Sequence, residues 1–181
     1  MTGCREVVVT RSGSLTTVQD GGRPGLAHLA VPPSGPLDRP AWRLANRLVG
    51  NPEDAAALET TLTGVGLRAC ASVVAAVTGA PAPVAVDGRP EGWGVPIAVA
   101  PGQVMDVGLA IAGVRSYVAL SGGITVGTVL GSRATDSLSG LGPPRLEPGC
   151  RLPLGRVHGP APAVDFAPYP FPPEQLSLVL H

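Results

Sequence analysis

The sequence predicts a mainly β domain: a compact closed barrel of short strands with one or two short helices. Three observations predict it. The 181 residues include 25 glycines and 21 prolines, about a quarter of the chain, so turns are frequent. Hydrophobic residues make up 44%, with 14% charged and only 3% aromatic, so small apolar side chains fill the runs between turns. Those runs are short, and the clearest of them alternates with period two. A closed arrangement is favoured over an open sheet because it leaves no exposed strand edge.

Glu6 to Thr10 opens the set as a strand, and Leu15 to Gln19 follows, stopped by the turn Asp20-Gly21-Gly22. Arg23 to Leu37 carries four prolines and two glycines and reads as a long, shaped loop, the kind that tends to be functional. One helix is predicted from Pro40 to Val49, with Asp38 near the N-cap, Pro40 in the first turn and Gly50 as the stop. Its apolar stripe is Ala41, Leu44, Ala45, Leu48 and Val49, with Trp42 at the margin. Asn51 to Asp54 suggests a second short helical turn, and Leu58 to Leu62 a strand. Further strands are predicted at Val65–Cys70, Ser72–Thr78, Val84–Val86, Pro96–Val99, Gln103–Leu109, Val114–Leu120 and Arg151–Leu154. Asp87-Gly88 and Pro101-Gly102 turn the chain between them. In Val114–Leu120, Val114, Ser116, Val118 and Leu120 share one face, and Arg115, Tyr117 and Ala119 the other.

Residues 1–155 therefore form one domain. Residues 156–175 are expected to be a Pro-rich linker, with six prolines between 160 and 173. Residues 176–181 read as a strand, either returning to the barrel or starting a second domain.

Charge and chemistry narrow the function. Acidic and basic residues balance at 13 each, and every basic residue is arginine. Without lysine the chain can form no Schiff base, build no P-loop and carry no biotin itself. The arginines are dispersed, which argues against nucleic acid as a partner. Cys4, Cys70 and Cys150 and His28, His158 and His181 fall at no metal-ligand spacing, so no metal site is expected. No leader-like or membrane-length apolar stretch is evident, and a cytoplasmic location without membrane attachment is the expectation.

Three segments carry the functional signal. The first is Leu15-Thr16-Thr17-Val18-Gln19-Asp20-Gly21-Gly22-Arg23-Pro24-Gly25, followed by Val31-Pro32-Pro33-Ser34-Gly35-Pro36-Leu37-Asp38. The second is Arg43-Leu44-Ala45-Asn46 with Leu48-Val49-Gly50-Asn51-Pro52-Glu53-Asp54 and on to Glu59. The third runs from Gly113 through Ser121-Gly122-Gly123-Ile124 and ends in Gly131-Ser132-Arg133-Ala134-Thr135-Asp136. Together they closely resemble the biotin-dependent carboxyltransferase family called allophanate hydrolase subunit 2, also known as carboxyltransferase subdomain A and B. That family includes the C component of 5-oxoprolinase and the antagonist of a sporulation-kinase inhibitor. The likeness covers about residues 5 to 155.

The resemblance implies a cyclophilin-like β-barrel and a subunit acting with a homologous, allophanate hydrolase subunit 1-like chain. In the oxoprolinase form, with a lactam-utilisation-type subunit beside it, the assembly opens 5-oxo-L-proline to L-glutamate using ATP. In urea carboxylase, related domains move a carboxyl group from carboxybiotin to urea. A small amide substrate is thus implied, with ATP used by the assembled complex and biotin, where used, on a partner. Family members contain a second barrel-like half, so this chain corresponds to subdomain A and a stub. It also differs at Thr125, where the family often has Asp, and in a shortened loop from Ser137 to Pro144. A second reading keeps the domain as a non-catalytic binding module for its partner. A third takes the chain as a piece of a longer protein.

Asp20, Arg23 and Glu59 are the catalytic candidates. Asp20 can serve as a general base or orient Arg23; it can equally close an Asx turn on its own backbone. Arg23 and Arg133 can grip a carboxylate or phosphate. Glu59 can manage a proton or sit in a salt bridge. The substrate-binding candidates are Ser34, Gly35, Asp38, Asn46, Gly122, Gly123, Arg133 and Asp136. Against these stand helix capping by Asp38, a structural bond from Asn46, an Arg133–Asp136 ion pair fixing its loop, and a bend at Gly122-Gly123. The free amides of that bend are otherwise suited to an oxyanion. Ser34 lies outside a nucleophile elbow, and no triad can be assigned to it.

Overall fold

A computed structural model describes residues 5–157 and residue 159. Its strands are β1 (Glu6–Arg11), β2 (Leu15–Gln19), β3 (Ala57–Thr61), β4 (Gly66–Ala69), β5 (Val73–Gly79) and β6 (Val84–Val86), then β7 (Arg89–Glu91), β8 (Ile97–Val99), β9 (Val104–Val107), β10 (Arg115–Leu120) and β11 (Arg151–Pro153). One α-helix, α1 (Arg39–Leu48), and a 3-10 turn at Ala27–Leu29 interrupt them. The expected strands are present within a residue or two at each end. The Asp87-Gly88 hairpin is present, and its exposed return strand β7 is an addition to the expected set, because Arg-Pro-Glu carries no apolar signal. Residues 51–54 form a turn rather than a second helix, closed by the Ala55 amide on the Pro52 carbonyl. Most of the predicted linker and the whole of residues 176–181 lie outside the described residues.

The strands form two antiparallel sheets, in the orders β11-β1-β4-β9-β6-β7 and β2-β3-β10-β5-β8. Among the described residues their hydrogen-bonded ladders do not join into one ring. The sheets are nonetheless linked: Leu146 donates to Thr16 of β2, while Gly149 and Cys150 exchange bonds with Val9 of β1. Side chains alternating inward from both sheets fill the space between them, among them Val7, Val9, Leu58, Leu67, Val77, Met105, Val118 and Leu120. Each such burial contributes roughly 1.5–3 kcal/mol.

The helix lies on the other face of the five-stranded sheet. Alternation in β10 turns Tyr117 and Ala119 to that face, as the sequence predicts. Ala57, Ala76 and Ala119 are small enough to let Ala41, Trp42, Leu44, Ala45 and Leu48 pack closely. Trp42 sits inside this contact rather than at its margin, with its indole N–H on the Ala55 carbonyl. The helix begins at Asp38, whose carboxylate accepts from the Ala41 amide at 3.0 Å. Its position fixes where the loop of residues 20–38 must end, and so positions the site.

Candidate functional site

The predicted residues fall into three connected groups. The first gathers the end of β2, the long loop and the 126–136 segment. Asp20 is 9% exposed. Its Oδ1 accepts from the Gly22 amide at 2.9 Å and from the Ser132 hydroxyl at 2.5 Å, and its Oδ2 from the Arg133 amide at 2.6 Å. It therefore closes its own turn and also ties that turn to a loop more than a hundred residues away.

Arg23, 2% exposed, does not pair with Asp20. Its guanidinium donates to the Val129 carbonyl (3.3 Å), the Ser34 hydroxyl (2.8 Å) and the Ala134 carbonyl (2.6 Å). Ser34 in turn donates to Asp136 Oδ2 at 3.0 Å. All three atoms facing this buried cation are formally neutral, and the nearest carboxylate in the chain of bonds stands beyond Ser34.

Asp136 takes no ion pair with Arg133 among the described residues. Its Oδ1 accepts from the Leu138 and Ser139 amides. The Ser139 amide, with further help from the Ser34 hydroxyl and the Leu138 amide, holds its carboxyl below the ordinary value. Arg133 spends its Nε on the Val126 carbonyl at 2.9 Å. Ser34, Arg133 and Asp136 are partly exposed and share one face of the site. Gly35 sits behind Ser34 at φ 92°, and an added Cβ would stand 3.2 Å from the Asp20 carbonyl. Only glycine fits that approach without strain.

The second group is Glu59 with the start of α1. Glu59 faces the helix side of β3, opposite Thr17 on β2 and Tyr117 on β10. Its Oε2 accepts from the Tyr117 hydroxyl at 2.8 Å and from the Leu37 amide at 2.9 Å. Arg115 Nε stands 3.6 Å from Oε1. The Asp38 amide donates to the Tyr117 oxygen at 2.7 Å. Burial, followed by the nearby carboxylates, pushes the Tyr117 phenol well above its usual range, so it stays protonated.

The third group is Asn46 with the bend after β10. Asn46, fully buried, donates to the Ala55 carbonyl and accepts from Asn51, which donates to the Leu120 carbonyl. Asn51 Oδ1 accepts the Gly122 amide at 2.8 Å, and the Gly123 amide donates to Leu120. Both bend amides are thus engaged inside the chain. Ser132, Tyr117 and Arg115 were not among the predicted site residues. The alternation of β10 placed Tyr117 and Arg115 on the right face, but nothing in the spacing linked them to Glu59. Among the described residues no cluster of His, Cys, Asp or Glu could hold a metal ion, and no helix is long and apolar enough to cross a membrane.

Residues 29–179 match the profile of the carboxyltransferase domain, subdomain A and B. The chain is 40% identical over 153 residues to the C component of 5-oxoprolinase from Escherichia coli, covering 82% of this chain and 49% of that protein. It is 42% identical over 135 residues to urea amidolyase of Lachancea kluyveri, covering 74% of this chain and 7% of that one. The fold superposes on the crystal structure of Kluyveromyces lactis urea carboxylase with a TM-score of 0.80 at 37% identity, over 91% of this chain and 15% of that one. The chain therefore spans about half the length of the one relative and a small part of the others.

Proposed function

The chain belongs to the carboxyltransferase subdomain A and B family, and on that premise we propose that it supplies subdomain A to a subunit of an ATP-dependent amide hydrolase, a 5-oxoprolinase. The assembly would open 5-oxo-L-proline to L-glutamate together with a homologous allophanate hydrolase subunit 1-like chain and a lactam-utilisation-type subunit. The observation that carries this reading is the match to the 5-oxoprolinase component, 40% identical over 82% of this chain and 49% of that protein.

The geometry supports an anionic substrate. Arg133 brings a guanidinium to this partly exposed face with its Nε on the Val126 carbonyl. The carboxylate of 5-oxoproline is the group such a face would hold. Asp20 and Glu59 hold the loops in place, since the oxygens of both accept internal donors. The cyclophilin-like barrel is part of the same proposal, and the link from residues 146–150 to both β1 and β2 supports it.

ATP and biotin do not fit this chain by itself. It contains no lysine for biotin attachment and no P-loop for phosphates, so both are assigned to partner chains. The test is coexpression with the two partner subunits and an assay of glutamate formed from 5-oxo-L-proline. ATP-dependent glutamate formation that weakens in Arg133→Ala through a higher KM is the expected result. No glutamate from the assembled complex overturns it. The 42% identity to urea amidolyase supports a second reading, carboxyl transfer to urea with biotin on a partner, and turnover of urea in the same complex would favour it.

A further inference from the structure

The loop that brings Ser34 and Gly35 to the site is held at its near end by Arg23, whose amide donates to the Pro33 carbonyl at 2.7 Å and whose guanidinium donates to Ser34. Leu37 is 75% exposed, and Ser34 and Gly35 both have positive φ, at 55° and 92°. What fixes its far end is a pair of consecutive amides. The Leu37 amide donates to Glu59 Oε2, and the Asp38 amide donates to the Tyr117 oxygen. Those two acceptors are themselves joined, because the Tyr117 hydroxyl donates to the same Glu59 oxygen at 2.8 Å. They occupy paired positions on neighbouring strands, so the sheet presents them as a rigid unit.

Resting on the function proposed above, we infer that Tyr117 is a positioning residue for substrate binding. With Glu59 it latches residues 37 and 38, and so places Ser34 between Arg23 and Asp136. The phenol is suited to this because it both accepts and donates in one place, which no other side chain of its shape does. It stays protonated throughout the working pH range, so the latch does not open by titration. Thr78, opposite Tyr117 on β5, anchors the next turn of the helix by donating to the Ala41 carbonyl at 2.7 Å. Tyr117 therefore governs the loop, while the helix has a separate hold.

Tyr117→Phe tests the inference, since it removes one oxygen and leaves the buried ring. Amide hydrogen exchange on the full chain reads the latch directly. Exchange at Leu37 and Asp38 is expected to rise about tenfold or more, with β1 and β4 amides unchanged. In the assembled complex, KM for 5-oxo-L-proline is expected to rise about tenfold with kcat within about twofold, the pattern of lost positioning for binding. Glu59→Gln gives a second variant, retaining an acceptor for the Leu37 amide and so producing the smaller rise in exchange. Unchanged exchange in Tyr117→Phe overturns the latch, and faster exchange with an unchanged KM overturns its role in binding. A wild-type complex that makes no glutamate defeats the functional reading alone; the exchange result still decides the latch, and the KM comparison passes to urea.

Discussion

Asp20 Oδ1 accepts a 2.5 Å hydrogen bond from the hydroxyl of Ser132, across 112 residues of sequence. With the Gly22 and Arg133 amides, this gives one buried carboxylate three internal donors. Removing it strands a buried hydroxyl and two amides, each at a cost of roughly 1 kcal/mol or more. Asp20→Ala is expected to lower stability by about 3 kcal/mol and Asp20→Asn by about half that. Urea unfolding of the three chains checks the order. An Asp20→Ala chain as stable as the wild type would show that the carboxylate is free for other work.

Arg23 makes a different demand, because its guanidinium reaches three acceptors in three directions. Lysine keeps the charge but has neither the reach nor the planar fork. Arg23→Lys is expected to cost about 2–3 kcal/mol, as loss of buried charge-assisted bonds does. Thermal unfolding reads this. The 126–136 segment should loosen first, since Arg23 holds its Val129 and Ala134 carbonyls, and faster amide exchange there is the specific sign.

The elements of this fold were legible in the sequence because turn residues and alternation are local signals. Asp87-Gly88 marked the β6–β7 hairpin, and alternation in β10 correctly divided Ser116 and Val118 from Tyr117 and Ala119. The candidate site was legible only as a set of names. That Asp20 would serve Ser132, and Arg23 would serve Ser34, depends on how loops far apart in sequence meet in space, which spacing does not encode. Asp20 and Arg23, three residues apart, invite a pairing that the structure replaces with separate partners for each. Tyr117 was hidden for a related reason. On an apolar strand a tyrosine reads as core, and its polar end becomes visible only when Glu59 is found opposite.

Two groups give pH signatures of opposite placement. Asp136 is held below its ordinary value, chiefly by the Ser139 amide, so its contribution is present above the ordinary carboxylate pKa and lost as pH falls through the depressed one. Asp136→Asn should flatten the acid limb of the stability curve below about pH 4. Tyr117 is raised by burial, so the unfolded chain gives up this proton first and stability falls as pH climbs past about 10. Tyr117→Phe should blunt that alkaline loss. Stability measured from acid to alkaline pH in the three proteins separates the limbs, and a wild-type alkaline limb identical to that of Tyr117→Phe would show the phenol ionising freely.

Gly122 tests whether the bend after β10 is a structural joint. Its φ of 94° suits glycine, and a Cβ there would collide with the Gly155 carbonyl oxygen. That contact is with backbone, so no side chain can swing aside to relieve it. The Gly122 amide meanwhile holds Asn51, which ties the helix end to β10. Gly122→Ala is therefore expected to destabilise the chain by about 1–3 kcal/mol through strain and displaced backbone. Asn51→Ala, which removes the acceptor and leaves the backbone alone, should cost a comparable amount without the strain. If the two losses, measured by urea unfolding, are much less than additive in the double variant, the bend and the asparagine act as one joint. Full additivity would mean that Gly122 matters only for its conformation.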